Sequence, residues 1–203
     1  MKTRSKKRDA RGDGPAASPL SELPPWDPAS GLLQVIVDTP KGSRIKFKYE
    51  SEKGTYRPSH LLPAGTFFPF DFGSIPSTLA DDGDPLDVLV LMEEPSFPGC
   101  LVPVRPIGVI EAEQTQKGKT DRNDRLIGVA EVSRAYRELR TIRNVPARLL
   151  KEIERFFVFY NEDRGRRFEV LGRFGPDRAE RLVAAGERRF RRERDRRRTR
   201  PRS

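Results

Sequence analysis

A mainly β, α+β fold is what this chain predicts: a barrel or sandwich of short strands, with helices added late. Between residues 33 and 132, short apolar or alternating runs are separated by Gly/Pro turns. From residue 144 onward the apolar spacing changes to that of helices. A run of three carboxylates, Asp82, Asp84 and Asp87, sits at the mouth of the most apolar of these strands.

Leu33 to Asp38 predicts the first strand, and Pro40-Lys41-Gly42-Ser43 the turn after it. Arg44 to Glu50 puts Ile45, Phe47 and Tyr49 on one side and Lys46, Lys48 and Glu50 on the other, a period of two. Tyr56 to Leu62 predicts another strand. Phe67 to Ile75 is aromatic and apolar, interrupted by Pro69 and Gly73. Asp87 to Met92 is the most strongly apolar run. Leu101 to Glu113 is long and β-branched, and Pro103 and Pro106 predict an edge or a bend. Leu126 to Val132 closes the set. Asn144 and Pro146 can start a helix, since proline is tolerated in the first turn. Leu149, Leu150, Ile153, Phe156, Phe157 and Tyr160 trace its apolar face. A second helix is predicted near Pro176, with Ala179, Leu182 and Val183 inward, running into an Arg-rich tail.

The net charge of +10 over 203 residues is unevenly spread. Residues 1–14 hold six Lys/Arg against two Asp, and residues 188–203 hold ten Arg against two acids, leaving −2 for 15–187. A fold that binds nucleic acid through its body would carry its charge there. The expected organisation is a flexible basic, Pro-rich segment at 1–30, a domain at 31–187 and an Arg-rich tail at 188–203. The tails suit weak attraction to RNA, DNA or an anionic surface. Cys100 is alone, so no internal disulfide forms and a reducing compartment is favoured. No apolar stretch is long enough to span a bilayer and no apolar segment follows the basic N-terminus, so the cytoplasm is the expected location.

Asp82-Gly83-Asp84-Pro85 is turn chemistry, and after it Leu86, Val88 and Val90 share one strand face while Asp87 joins Leu89 and Leu91 on the other. The turn can fold Asp82 and Asp84 back toward Asp87. Concentrated negative charge is costly unless a cation neutralises it, and an all-oxygen site suits Mg2+ or Mn2+. The alternative is a solvated hairpin turn. A calcium EF-hand loop fits poorly, because Leu86 and Asp87 stand where an oxygen ligand and a glycine are needed.

The run Asp82 to Val88 resembles the signature of the soluble family I inorganic pyrophosphatases, Asp-x-Asp-Pro-hydrophobic-Asp-hydrophobic. Ile75-Pro76-Ser77-Thr78-Leu79, Pro40-Lys41-Gly42-Ser43-Arg44 and Gly108-Val109-Ile110 are similar to family sequence as well, and the likeness covers roughly residues 33–172. The resemblance implies a five-stranded, OB-like β-barrel with two or three flanking helices, with the basic tails disordered outside it. It implies hydrolysis of pyrophosphate to two phosphates with two or more Mg2+ ions, or Mn2+ in their place, in a homo-oligomer. Metal ions neutralise a polyanion and make water more acidic, while Lys, Arg and Tyr stabilise the leaving phosphate. Carried over by position, Asp82 and Asp87 resemble metal ligands and Asp84 the carboxylate that takes the proton of the attacking water. Lys46 and Tyr160 resemble catalytic and substrate-binding groups, and Asp38 stands in place of a family glutamate.

The departures are numerous. A family glutamate is Lys48 here, a phosphate-binding arginine aligns with His60, and an active-site tyrosine is Phe72. The family places two further metal-binding aspartates and then a lysine; these become Gln114, Asn123 and Arg125, with an insertion at about residues 116–119. The lysine after Tyr160 is Asn161. Asp121 and Asp124 are close enough in sequence to serve as replacement metal ligands, as are Glu111 and Glu113. Lys48, His60 and Arg125 are therefore candidate substrate-binding residues. Fewer acids imply fewer metals, with Lys48 and Arg125 supplying the missing positive charge. Two other functions fit a site altered in this way: a barrel kept for binding phosphate, RNA or an acidic partner, and a hydrolase of another small phosphoanhydride. The intact Asp82, Asp84 and Asp87 favour the pyrophosphatase.

Overall fold

Five strands close on themselves and fix where the acidic run lies. The computed structural model of the chain describes residues 23–199. Its strands are β1 (Leu33–Thr39), β2 (Ile45–Glu50), β3 (Thr55–Leu61), β4 (Asp71–Ser74), β5 (Asp87–Leu91), β6 (Leu101–Gln116), β7 (Lys119–Arg122), β8 (Arg125–Ala130) and β9 (Arg167–Phe174). Two helices, α1 (Ala147–Glu162) and α2 (Pro176–Thr199), flank β9, and a single 3-10 turn, Ile142–Asn144, precedes α1. The ring runs β1-β4-β5-β8-β6, and β6 returns to pair with β1. Closure removes the sheet edges, as in an OB-like barrel. β2 and β3 form a separate hairpin.

The period-two reading of β5 survives on both faces. Leu86, Val88 and Val90 pack with Val35 and Val37 of β1, Val104 of β6 and Ala179 and Val183 of α2. Leu89 and Leu91 pack with Ile110, Ile127 and the inner face of α1, namely Leu150, Ile153 and Phe157. Burying each such aliphatic or aromatic side chain contributes about 1.5–3 kcal/mol. Asp87, at the start of β5, shares the α1 face, so the acidic run opens toward the C-terminal end of that helix.

Two strands lie outside the sequence expectation. β7 is made by the insertion at 116–119, which folds β6 back through Lys117 (φ 52°) and Gly118 (φ 78°). Consecutive positive φ values make a two-residue hairpin turn whose twist suits the strands. β9 pairs with β6 over a stretch of mostly exposed, partly charged residues, which carries little apolar alternation.

The tail expectation is corrected. The residues from 188 onward were expected to be a disordered tail, yet α2 runs unbroken to Thr199. Arginine is a good helix former, and Arg191 pairs with Glu187 one turn back. The helix is also tied down. Arg189 donates to the Leu79 carbonyl at 2.8 Å and meets Asp81 at 2.9 Å, and the Leu79 amide donates to Gly186 O at 3.1 Å. A Cβ on Gly186 would come within 2.8 Å of Leu86, so only glycine lets α2 lie this close to the acidic turn. At the other end, Trp26 bridges to Leu33 and Gln34 N donates to Pro25 O, so packing begins before residue 31. The expected flexibility of residues 1–22 and the end of the tail, 200–203, lie outside the described residues. Among the described residues no helix is long and apolar enough to cross a membrane.

Candidate active site

A cleft of about 550 Å3 opens between the β2–β3 hairpin, the acidic turn, the start of β8 and the C-terminal end of α1. Four carboxylates line it: Asp38, Asp82, Asp84 and Asp87. So do five cations, Lys46, Lys48, Arg125, Arg164 and Arg166, giving one net positive charge. Tyr160, Asn161, Gln114 and Asn123 complete the polar wall. Two strand irregularities aim residues into it. Asp38 is the extra residue where β1 shifts register against β4, and Ser59 is the extra residue where β3 shifts against β2. A bulge of this kind redirects one side chain without disturbing the rest of the ladder.

The acidic run lines one cleft, but its three carboxylates do not meet as the turn predicts. Asp84 lies 3.5 Å from Lys48 Nζ, both groups being well exposed. Asp87 Oδ2 accepts a hydrogen bond from Arg125 Nη1. Asp82 Oδ1 accepts from the Asp84 amide at 3.1 Å, closing the turn. Among the described residues no three His, Cys, Asp or Glu side chains converge. Asp84 and Asp87 are each held by a cation of the chain, which relieves the repulsion that drawing all three together would incur.

Arg125 is the best-defined group in the site. Its guanidinium carbon is 5.7 Å from the Phe72 ring centroid, 5.2 Å from Phe157 and 5.7 Å from Phe168. The residue is only 4% exposed. A flat, delocalised cation stacks on aromatic faces better than a lysine ammonium does, so the arginine and the phenylalanine at 72 suit one another. Lys46 Nζ stands 4.2 Å from the Phe72 ring centroid and 3.8 Å from Asp38 Oδ2. Burial is the leading cause that pushes the Asp38 carboxyl up to about 6, and burial likewise holds the Lys46 ammonium below the usual lysine range. Their mutual attraction opposes both shifts and is outweighed. Burial also raises the Tyr160 phenol, against the nearby Arg164, whose Nη1 donates to the phenol oxygen at 2.6 Å.

Three candidates fall elsewhere. His60 is not part of the cleft lining; its Nε2 lies 2.9 Å from Asp163 Oδ2 and ties the hairpin to the end of α1. Asp121 sits on the β7 hairpin, 2.9 Å from Lys119. Asp124 is not part of the cleft lining, and it accepts from the Ala112 amide and from Arg122. Glu111, also weighed as a ligand, is held by Arg122 and Arg178. Each of these acids has a cation or amide of its own, so none serves as a replacement ligand in the cleft. Gln114 and Asn123 do line it, joined by a hydrogen bond from Asn123 Nδ2 to Gln114 Oε1 at 2.7 Å. Sequence reasoning missed Arg164 and Arg166. The available signal was an Arg-Gly-Arg step directly after the helix that carries Tyr160.

The donor set fits a hard divalent cation at the acidic turn. Every carboxylate on offer is an oxygen ligand, and Mg2+ is usually held by one or two carboxylates plus substrate phosphates, not by a closed protein cage. Asp82 and Asp87 are the residues that would hold it, with Asp84 beside them in the turn. The opposite wall does not fit a second carboxylate-bound ion, because Gln114 and Asn123 are neutral and already bonded to each other.

The family model described as inorganic pyrophosphatase matches residues 35–191. The chain is 35% identical over 153 residues to an inorganic pyrophosphatase of Synechocystis, covering 75% of this chain and 88% of that one. It is 39% identical over 145 residues to the inorganic pyrophosphatase of Methanosarcina acetivorans, covering 71% and 84%. Among solved structures, the inorganic pyrophosphatase of Thermus thermophilus superposes with a TM-score of 0.77 at 33% identity, over 85% of this chain and 98% of that chain. The ring of strands, the acidic turn and these matches agree: the chain belongs to the inorganic pyrophosphatase family and hydrolyses inorganic pyrophosphate to two phosphates.

Proposed function

We propose that this chain hydrolyses pyrophosphate in the cleft between the acidic turn and the end of α1, with Mg2+ as the working cation and Mn2+ as a substitute. The observation that carries this reading is that Asp82, Asp84, Asp87, Lys46, Arg125 and Tyr160 all line one cleft. Asp82 and Asp87 are the proposed metal ligands, and bound Mg2+ supplies charge neutralisation and a more acidic water. Asp84, exposed at the rim beside Lys48, is the proposed acceptor of the proton of the attacking water. Lys46, Arg125 and the Tyr160 hydroxyl bind the phosphoryl oxygens and stabilise the charge that develops on the leaving phosphate. Lys48, beside Asp84, adds a cation where the substrate enters. Asp38 fixes the direction of the Lys46 side chain. With five cations already in the wall, two Mg2+ ions suffice.

The test is phosphate release from pyrophosphate by wild type and Asp87→Asn across an Mg2+ series. Wild type should turn over only with Mg2+, and the variant should lose on the order of a hundredfold or more in kcat. An active Asp87→Asn enzyme would remove the acidic turn from the mechanism.

Two wider properties belong to the same reading. The family resemblance supports a homo-oligomer, and Leu171 and Phe174 offer exposed apolar surface on β9 for one. A cytoplasmic location is supported by the lone thiol of Cys100 and by similarity to a relative in rice named soluble inorganic pyrophosphatase, 34% identical over 155 residues.

A further inference from the structure

Three buried side-chain polar atoms lack a hydrogen-bond partner among the described residues: Arg125 Nε, Arg166 Nε and Asn161 Oδ1. All three belong to residues that line the cleft. Buried donors and acceptors are rarely left unpaired, and such groups are where a ligand is expected to complete the bonding. Two are cationic donors, which want an anion. We propose that this wall is an anion subsite that holds pyrophosphate without any divalent cation, with Arg166 and Arg125 as its donors; this deepens the reading above and rests on it.

The surrounding charges support that assignment. Gln114 Oε1 accepts from Asn123 at 2.7 Å and lies 3.5 Å from Arg166 Nη1. A carboxylate at position 114 would neutralise Arg166 and repel a phosphate, whereas the Gln114 amide, itself held by Asn123, steers the guanidinium and leaves its charge in place. Across the cleft, Asp87 is held by Arg125, Asp84 lies beside Lys48 and Asp38 beside Lys46, so three of the four carboxylates carry a cation with them. Arg164 is engaged by Tyr160, which leaves Arg166 as the cation of the α1–β9 loop facing the ligand. Asn161 Nδ2 donates to Phe157 O, so its free carbonyl oxygen is an acceptor. It matches the P–OH group of a protonated pyrophosphate, which a lysine at this position would not.

The measurement is calorimetric titration of pyrophosphate into the full chain in EDTA near neutral pH. Wild type should bind one pyrophosphate per chain saturably. Arg166→Gln should bind roughly tenfold more weakly or worse, and Arg166→Lys should fall between them because it keeps charge but not the fork. Melting temperatures verify that both variants are folded; if Arg166→Gln is not, the lysine variant alone carries the comparison. Absence of saturable binding by wild type, or wild-type affinity in the folded variants, overturns the subsite. Hydrolysis by the same wild-type sample after Mg2+ addition separates the two readings. Turnover with Mg2+ but no binding without it defeats this inference alone, and no turnover defeats the reaction mechanism as well.

Discussion

Arg125 shows how one side chain organises a site. Its guanidinium lies over three rings and is bonded to Asp87, so the position suits a broad, delocalised cation and not merely a charge. Arg125→Lys is therefore expected to lose about tenfold in kcat/KM and to melt earlier, checked by steady-state assay and thermal scan. Asp38 makes a pH prediction. Its carboxyl is raised to about 6 from the usual 3.8, so the fold favours its protonated form. Its stabilising contribution is full below 3.8 and is lost as the pH rises through about 6. In EDTA, Asp38→Asn should flatten that part of the melting profile; an unchanged slope would place the titration elsewhere. At this scale rigid spacing was enough to bring Asp82, Asp84, Asp87, Lys46 and Tyr160 to one cleft, but not to show that the three carboxylates stay apart. Counting inward from Gly108 and from Arg125 also located Gln114 and Asn123, which the structure joins. Arg164 and Arg166 were not legible, because in a chain with 40 Lys/Arg two more look like a solvated face. His60 misled because alignment gives position, whereas its contact with Asp163 depends on where α1 ends.

Helix α2 ties the acidic turn in place, a role that sequence could not reveal because its hydrophobic period fades before the tie is made. Arg189 grips Leu79 O and Asp81, next to Asp82. Arg189→Ala should loosen that turn and lower kcat severalfold with a small change in melting temperature. Removal of 188–203 should do at least as much, whereas a true solvated tail would be dispensable. A second tie is Glu93, whose carboxylate accepts from Ser133 Oγ at 2.7 Å and from the Arg134 and Ala135 amides at 2.7 and 2.6 Å. The Ala135 amide first, then the Ser133 hydroxyl, pull its carboxyl down to about 2. That contribution is present above its ordinary 4.5 and is lost as the pH falls toward 2. Glu93→Gln should therefore melt earlier at neutral pH and lose this acid slope in a pH series of thermal scans. The strands of the ring were readable because each buries an alternating or fully apolar face. β7 and β9 escaped because both are added onto β6 by ladder pairing and bury few apolar residues of their own.

In the whole molecule, charge and core are divided between different regions. The barrel buries its valines and leucines on both faces of β5, against α1 on one side and α2 on the other. Phe157 joins the two functions, since it is 1% exposed in the core and also packs on Arg125. Phe157→Ala should cost about 3–5 kcal/mol in denaturant unfolding and reduce activity more than that loss alone explains. The sequence indicated the barrel and the acidic turn, but not that the cleft's cations outnumber its carboxylates, since that balance is set by residues from five separate segments. The central claim is that these cations take over charge neutralisation that would otherwise require additional Mg2+. The most direct test is the order of pyrophosphate hydrolysis in free Mg2+ at fixed substrate. An order of two or less is the predicted result; a requirement for three or more ions would contradict it.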